Sequence, residues 1–407
     1  MKVFRFFLTR VFLRKPIFAI GALVLFLMAN YMAFLTAHSV LSTREGYQQM
    51  AHFDKEGTFV ANLDPNSDFG NKDISKASIQ KVYDRLDSRY HYALYTDGMM
   101  TNLANGCGVK VPVSYMNQRY NDLDGFPIAQ GSGLTFDYSL VRNDAIPVLV
   151  GEGLADDYPL GTQFKMHDPA LLREVRVKVV GVIAENSVHS NFYALNSKKY
   201  YNFSVVVPVT TAFIKQADVS FNINALNDLV LSDTDRADVS ELGDYIDKTI
   251  GAKFNLYSYQ DNIDYYNEYL FSSLRFLTVA SGVLLILIVL LSVWSALISV
   301  RVMMRDFTIN LMVGLSYGRL RRLFYAYYAG LSLIALLAVF AMAAYSRHSY
   351  WRRKDAFLMT YGLWGMIRMD WLALLVASLF DFLLVAMLAQ LITWRLKRVP
   401  ISLGVLQ

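Results

Sequence analysis

Four long apolar segments constrain the fold of this chain more than any other feature of its sequence. They lie at residues 16–37, 276–300, 323–345 and 371–394. Each is long enough to cross the roughly 30 Å of hydrocarbon in a bilayer. Hydrophobic residues make up 54% of the 407 residues and charged residues only 18%, which is typical of a membrane protein. The sequence therefore predicts four transmembrane α-helices.

A secretory signal peptide is the alternative interpretation of the first apolar segment. Its apolar run has about 20 residues, longer than the roughly 7 to 15 of a signal h-region, and no A-x-A site follows it. We therefore predict that residues 16–37 are retained as a transmembrane helix. Residues 1–15 mix aromatic, aliphatic and basic residues, which predicts a cytoplasmic amphipathic segment with its charges near anionic lipid.

A long polar segment separates the first apolar segment from the second. Residues 38–275 are rich in charged residues, Gly, Asn and Asp, and their apolar residues alternate between helical spacing, as in 79–86, and strand spacing, as in 174–184. This pattern predicts one large α+β extracytoplasmic domain with stalk helices, inserted between the first and second transmembrane helices. The single cysteine, Cys107, excludes an intrachain disulfide.

Several elements can be predicted inside this domain. Residues 91–96 alternate as a strand, whereas residues 106–145 give no clear pattern. A strand at 228–231, a helix at 239–250 and a strand at 253–259 predict a compact βαβ-like unit. The aromatic-rich residues 260–276 predict one helix that runs into the membrane, with its tyrosines at the interface.

Basic residues orient the membrane segments. Residues 301–322 contain five arginines, and short loops of this kind stay in the cytoplasm. The C-terminal residues 395–407 are also basic, which places both termini on the cytoplasmic side. One loop disagrees with this bias: residues 346–370 contain four arginines and one lysine, yet four spans require them to lie outside.

Residues 301–322, here called the elbow, lie between the second and third spans. One face of a short helix is predicted from four apolar residues, Ile309, Leu311, Met312 and Leu315. Gly314 and Gly318 predict a turn before a second, basic helix begins. An ordinary basic loop between two spans is the alternative interpretation.

The elbow resembles the segment between the second and third spans of FtsX/MacB-type permeases of ABC transporters. In that family an Arg-acidic pair opens a helix, and a Gly-small-Ser turn precedes a basic helix. The matching positions here are Arg305, Asp306, Gly314, Ser316, Arg319, Arg321 and Arg322. Leu315 and Tyr317 depart from the usual Gly-Ala-Ser turn.

The polar segment also resembles the extracytoplasmic domain of MacB-type permeases. Leu160-Gly161 matches a Leu-Gly turn of the family, residues 179–182 match its Val-x-Gly-Val strand, and residues 205–213 match the strand that follows. Independently of the resemblance, Gly161 predicts a tight turn, and Gly181 predicts a bulge or a close backbone contact within a strand.

The resemblance implies that a separate ATPase subunit presses on the elbow. The expected coupling residues are Arg305, Asp306, Leu311, Gly314, Ser316 and Arg319. Two permease subunits, identical or paralogous, are expected to pair with two copies of a P-loop ATPase, which binds ATP and Mg. Because this sequence contains no G-x-x-x-x-G-K-[ST] motif, no cofactor is expected in the chain itself.

The expected function is that of a MacB-like permease subunit in the bacterial cytoplasmic membrane. It would export or extract a peptide or lipid-linked substrate at the outer face, with stalk segments at 38–50 and 260–276 transmitting the motion. The alternative is an FtsX-like mechanotransmitter that regulates a cell-wall hydrolase or a sensor without transport. A membrane-anchored enzyme is a third interpretation, but no G-x-S-x-G or S-x-x-K motif, metal-ligand spacing or nucleic-acid motif supports one.

Asp381 lies near the middle of the fourth apolar segment. An ionised carboxylate there costs at least about 2.5 kcal/mol, so it needs an explanation. One interpretation is a coupling or proton-handling site. The favoured interpretation is a carboxylate hydrogen-bonded to a Tyr or Ser of another helix or of a second subunit.

Overall fold

The fold is known from a computed structural model that describes residues 2–398 except 54, 65, 66, 68–73, 143, 192, 193, 259, 262, 263 and 265–270. The chain divides into two compact units. The helical unit comprises Met1–Ser42, Ser273–Ser346 and Met366–Gln407, as far as these are described. The α+β unit comprises Thr43–Ser272 and Arg347–Gly365, with the same restriction.

Eleven α-helices occur in the described residues. In chain order they are α1 (Lys2–Arg10), α2 (Pro16–Met50), α3 (Lys76–Arg89), α4 (Gln118–Leu123), α5 (Thr211–Gln216), α6 (Val219–Asn224), α7 (Arg236–Ile250), α8 (Phe271–Val302), α9 (Met304–Met312), α10 (Tyr317–Arg353) and α11 (Arg368–Arg398).

Thirteen β-strands occur in the same part of the chain. They are β1 (Phe59–Leu63), β2 (His91–Ala93), β3 (Tyr95–Thr101), β4 (Val111–Asn117), β5 (Ile128–Gly131), β6 (Ile146–Gly151), β7 (Gln163–Asp168), β8 (Arg173–Ile183), β9 (Val188–Asn191), β10 (Ala194–Tyr200), β11 (Val205–Val209), β12 (Val230–Ser232) and β13 (Phe254–Ser258).

Four helices of the described chain are long and apolar enough to cross a membrane, as the sequence predicts. The four segments are Pro16–Gln49, Val279–Val302, Tyr317–Arg353 and Arg368–Arg398. Small residues are buried where these helices pack, including Ala29, Ala335, Ala377 and Ala389. Small side chains allow helix backbones to approach closely without the need for a hydrophobic driving force. The membrane boundaries within each helix stay predictions.

The first sheet of the α+β unit has four antiparallel strands in the order β13-β1-β12-β2. The buried residues of α7, including Val239, Leu242 and Ile246, join the core that this sheet shares with α3. The strand, helix and strand predicted at 228–259 are therefore present. However, β1 lies between the two strands, so β12 and β13 do not pair directly as a simple βαβ unit.

The second sheet has seven strands in the order β3-β4-β11-β6-β8-β5, with β7 also paired to β8. The β4–β11 and β6–β8 pairs are parallel.

The tight turn predicted at Gly161 and the close backbone contact predicted at Gly181 are both present in the α+β unit. Gly161 has a φ of +84°, and a Cβ at Gly181 would lie 2.2 Å from the carbonyl oxygen of Ser132, so a side chain has no room there. The β6–β8 register also shifts opposite this glycine.

The single strand predicted at 91–96 is wrong, because these residues form β2 and β3, which belong to different sheets. The change occurs at Leu94, whose N–H donates to Oδ1 of Asn117 and whose carbonyl accepts from the N–H of Asn117. Residues 106–145, which give no pattern in the sequence, contain β4, α4 and β5. The helix predicted at 260–276 lies largely outside the described residues.

Residues 347–365, here called the docked segment, pack into the α+β unit. The N–H of Tyr200 donates to the carbonyl of Phe357 at 2.8 Å, and Nδ2 of Asn202 donates to the carbonyl of Met359 at 2.9 Å. Met359 is 1% exposed and belongs to the main hydrophobic core.

Asn186 and two basic residues make further contacts between the docked segment and the rest of the α+β unit. Asn186 donates through Nδ2 to the carbonyl of Tyr361 and accepts its N–H at Oδ1. Lys354 donates to the carbonyl of Gly108, and the Arg347 guanidinium lies over the ring of Tyr200. The docked segment must therefore lie on the same side of a membrane as residues 43–272, despite its positive charge.

Candidate coupling site

The elbow is built from α9 and the turn that leads into α10. Its buried face consists of Met303, Met304, Phe307 and Thr308, and the hydroxyl of Thr308 donates to the carbonyl of Met304. The predicted apolar face, made of Ile309, Leu311, Met312 and Leu315, is therefore wrong. Leu311 and Leu315 are half-buried against the core, whereas Ile309 and Met312 are exposed.

The turn after α9 depends on one glycine and one cap. Gly314 has a φ of +102°, which favours glycine, and the N–H of Leu315 donates to the carbonyl of Asn310. Ser316 caps α10, because its Oγ accepts the N–H of Arg319 at 3.3 Å. The turn predicted at Gly318 is wrong, since this residue already lies inside α10.

The N-terminal segment, residues 2–15, packs against the elbow and α10 within the helical unit. Phe7 stacks on Phe307 with ring centroids 6.4 Å apart, and Phe12 stacks on Tyr327 at 4.2 Å. Phe7, Phe12 and Phe307 are almost fully buried. Helix α1 is therefore amphipathic, as predicted, and its buried aromatic face is held by protein. Its placement on lipid stays a prediction.

Asp306 contacts the N-terminal segment. Its carboxylate pairs with Arg14 at 3.5 Å, and its carbonyl accepts Nδ2 of Asn310 at 2.7 Å. The side chain of Arg14 is well exposed, so solvent screens the ion pair. Among the expected coupling residues, Asp306, Leu311, Gly314 and Ser316 thus have contacts or conformations that build the elbow itself.

The outer surface of the elbow carries three exposed apolar side chains, here called the outward patch: Ile309, Met312 and Val313. Val313 is 84% exposed and Met312 is 55% exposed. Arg305 and Arg319 are also exposed in the same short stretch. Sequence reasoning missed Val313. The available signal was the run Ile309–Val313, which has more apolar residues than one face of a two-turn helix can bury.

Asp381 lies in α11 and is 4% exposed. Nδ2 of Asn30 in α2 donates to its Oδ2 at 2.8 Å, and Ser332 in α10 is a second hydrogen-bonding neighbour. The expected Ser contact is therefore present, but the principal partner is an asparagine. The buried carboxylate therefore has hydrogen-bonding neighbours on two other helices, α2 and α10.

A second polar pair joins the same two helices. Nε2 of His38 in α2 lies 3.1 Å from Oδ1 of Asp370 in α11. His38 follows Asn30 by about two helical turns, so both pairs lie along one α2–α11 contact. These pairs fasten the first membrane helix to the last.

A family model described as the MacB-like periplasmic core domain matches residues 17–248. No curated protein matches the chain.

Three solved structures are similar to it. The periplasmic region of MacB from Actinobacillus actinomycetemcomitans is 14% identical, with 55% of this chain and 98% of that chain covered and a TM-score of 0.34. The extracellular domain of the ABC-type transporter YknZ from Gram-positive bacteria is 14% identical, with coverages of 49% and 99% and a TM-score of 0.31. A domain of a putative permease from Porphyromonas gingivalis is 11% identical, with coverages of 52% and 93% and a TM-score of 0.28.

Proposed function

Because the chain belongs to the MacB/FtsX-type ABC permease family, which carries the MacB-like periplasmic core domain, we propose that it is the permease subunit of an ATP-driven mechanotransmission complex. Proteins of this family work with an ABC ATPase partner. In this proposal the ATPase is a separate P-loop subunit present in two copies, and it supplies ATP and Mg binding. Two permease subunits, identical or paralogous, form the membrane part.

The outward patch carries this proposal. Three exposed apolar side chains, flanked by Arg305 and Arg319, form a surface that a protein partner can cover. On its buried side, the elbow packs against the aromatic rings of Phe7 and Phe12. A partner that pushes on this surface therefore moves α9 and the start of α10 together.

In this proposal, helix α10 transmits the force that the partner applies at the elbow. It begins at the Ser316 cap in the elbow and continues without a break to Arg353, within the docked segment. At about 1.5 Å per residue, this helix is about 55 Å long. Helix α2 also continues past the predicted membrane boundary to Met50, which fits the first expected stalk. The second expected stalk falls largely outside the described residues.

The proposed location is the bacterial cytoplasmic membrane, with both termini in the cytoplasm and the α+β unit outside. Motion of the α+β unit would export or extract a peptide or lipid-linked substrate at the outer face. Because the docked segment and residues 43–272 lie on one side, the chain between residues 272 and 347 must cross the membrane an even number of times. The helices α8 and α10 supply two crossings, which agrees with a total of four spans.

The deciding experiment replaces Val313 with Asp in the full chain, purified from native membranes in mild detergent. Copurifying proteins are identified, and ATP hydrolysis is measured. The matched control is Val141→Asp, because Val141 is 88% exposed in the α+β unit. We expect Val313→Asp to reduce the bound ATPase about tenfold or more, since a charge is placed in an apolar contact.

Charge reversal at Arg305 and Arg319 is expected to act in the same direction. The proposal fails if the ATPase copurifies with Val313→Asp as well as with Val141→Asp, or if no P-loop ATPase copurifies with the native chain.

A further inference from the structure

The outer edge of β13 is available for pairing in the described structure. β13 is the terminal strand of its sheet and pairs with β1 along one side only, from Phe254 to Ser258. Its sequence, FNLYS, has no proline and no charged residue. Natural edge strands are usually protected by such residues, by bulges or by a covering element.

The register shows which backbone groups face outwards. The N–H of Ala61 in β1 donates to the carbonyl of Leu229, so Ala61 faces away from β13. In an antiparallel pair, successive residues alternate between the two sides of the strand. Leu256, the partner of Ala61, therefore directs its N–H and carbonyl away from β1. Phe254 does the same, whereas the N–H of Ser258 donates to Asp261.

A groove runs between this edge and α7, with a volume of about 790 Å³. Gly243 lies in the middle of α7 and helps to keep the groove open. A Cβ at this position would lie 3.5 Å from Cδ1 of Leu256 and 3.7 Å from the carbonyl oxygen of Phe254. Glycine inside a helix is less stable than alanine, and no positive φ requires it here. The carbonyl of Phe254 therefore lies on the groove side of β13, next to Gly243.

The charge of the groove is negative. Its two basic residues already have acidic partners: Arg236 pairs with Asp261, and Lys253 pairs with Asp64. Asp244 and Asp247 are exposed on the groove side of α7. Their charges lie close to the open strand edge and are not balanced by the two ion pairs.

We propose that this groove binds an extended, lysine- or arginine-bearing polypeptide segment, which pairs with Phe254 and Leu256 as an additional strand. The backbone edge supplies the hydrogen bonds, the space beside Gly243 accepts side chains, and Asp244 and Asp247 select basic residues. The site does not depend on the ATP-driven function proposed above, so binding is tested without ATP or an ATPase.

The probe is a dye-labelled dodecapeptide of alternating Lys and Thr, titrated by fluorescence anisotropy against the full chain in detergent. Two peptides serve as controls: one with Glu in place of Lys, and one N-methylated at alternate residues, which cannot donate from one edge. We expect both to bind about tenfold more weakly or worse. We also expect the lysine peptide to slow hydrogen exchange at Leu256.

Two pairs of variants test the site itself. Leu256→Pro removes an outward N–H without breaking a bond to β1, and Leu256→Ala keeps this N–H. Gly243→Leu fills the groove, and Gly243→Ala leaves most of it open. We expect about tenfold weaker binding for Leu256→Pro and Gly243→Leu, and a change below about threefold for the alanine variants.

Native binding by both Leu256→Pro and Gly243→Leu would overturn the proposal. Equal losses in Leu256→Ala and Leu256→Pro would also overturn it, because the side chain and not the strand edge would then hold the peptide. If Leu256→Pro does not fold, Gly243→Leu and the N-methylated peptide decide the outcome. Equal affinity for the glutamate and lysine peptides would exclude the proposed basic partner.

Discussion

The elbow and the docked segment have similar charge but pack in different units. Both are short connections between long helices, with five arginines in 301–322 and three arginines and a lysine in 347–365. The elbow packs Phe307 within the helical unit and leaves Met312 and Val313 exposed. The docked segment packs Met359 in the core of the α+β unit, to which its backbone carbonyls bond, and leaves Leu363 and Trp364 exposed. The comparison shows that charge alone does not determine where a basic connection packs.

A methionine in each connection gives the sharpest test of this contrast. Met359→Ala should destabilise the α+β unit by about 2–5 kcal/mol, because it leaves a cavity in the core. Met312→Ala should change stability by no more than about 0.5 kcal/mol, because its side chain is exposed. Urea unfolding of the full chain, followed by hydrogen exchange of each unit, measures both. Equal losses in the two variants would contradict the contrast.

The pH provides a second way to separate the two units. Burial raises the pKa of the Asp228 carboxyl group in the α+β unit to about 6, with a smaller contribution from the charge of Asp97. A raised pKa means that this group supports folding most below its unfolded pKa of about 3.9, and that this support is lost as the pH rises through about 6.

Asp228→Asn removes the cost of holding a charge at this position. We therefore expect the variant to be more stable than the native chain by about 1–3 kcal/mol at pH 7.5 and to show little difference at pH 4. Thermal unfolding at the two pH values measures this, with Asp233→Asn, an exposed neighbour in sequence, as the control. A larger gain at pH 4 than at pH 7.5 would contradict the sign of the shift.

The cap of α10 should matter locally and not globally. Ser316→Ala removes the oxygen that accepts the N–H of Arg319, at a cost of about 1 kcal/mol. Amide exchange in residues 317–320 should then become faster, while exchange in the docked segment stays unchanged. Ser316→Thr keeps the oxygen and is expected to behave as the native chain. Native exchange rates in Ser316→Ala would show that the cap does not stabilise the elbow.

The smallest effect is expected at the ion pair between the N-terminal segment, residues 2–15, and the elbow. Arg14 and Asp306 are 3.5 Å apart and partly exposed, so Arg14→Ala should cost less than about 1 kcal/mol. By contrast, Phe12→Ala in the same N-terminal segment should cost about 3–5 kcal/mol, because its ring is buried against Tyr327. Urea unfolding ranks the two variants. A larger loss for Arg14→Ala would mean that charge, not packing, holds the N-terminal segment in place.

Local patterns predict much of this fold because they involve neighbours in sequence. The four apolar runs identify the long helices, and the spacing of Val239, Leu242 and Ile246 identifies α7. Contacts between distant residues are not encoded in such patterns. Asn30 and Asp381 are 351 residues apart, and no periodicity could pair them.

The candidate site was predicted less completely for the same reason. Arg305, Gly314, Ser316 and Arg319 could be identified from a local motif, although their role in binding an ATPase stays a prediction. Which apolar residues of the elbow are exposed depends on Phe7 and Phe12, whose rings cover the opposite side of α9. This arrangement requires three-dimensional information that the run of apolar letters does not contain.

The unbroken course of α10 has a consequence for how this protein can vary. Each residue inserted in a helix turns everything beyond it by about 100° and advances it by about 1.5 Å. One inserted alanine near the middle of α10 would turn Trp351 by about 100° relative to Phe324 near the start of the same helix, whereas seven would restore nearly the same rotational phase. A change in the length of α10 therefore changes the relative orientation of the side chains at its two ends, as well as the thickness that the helix can span.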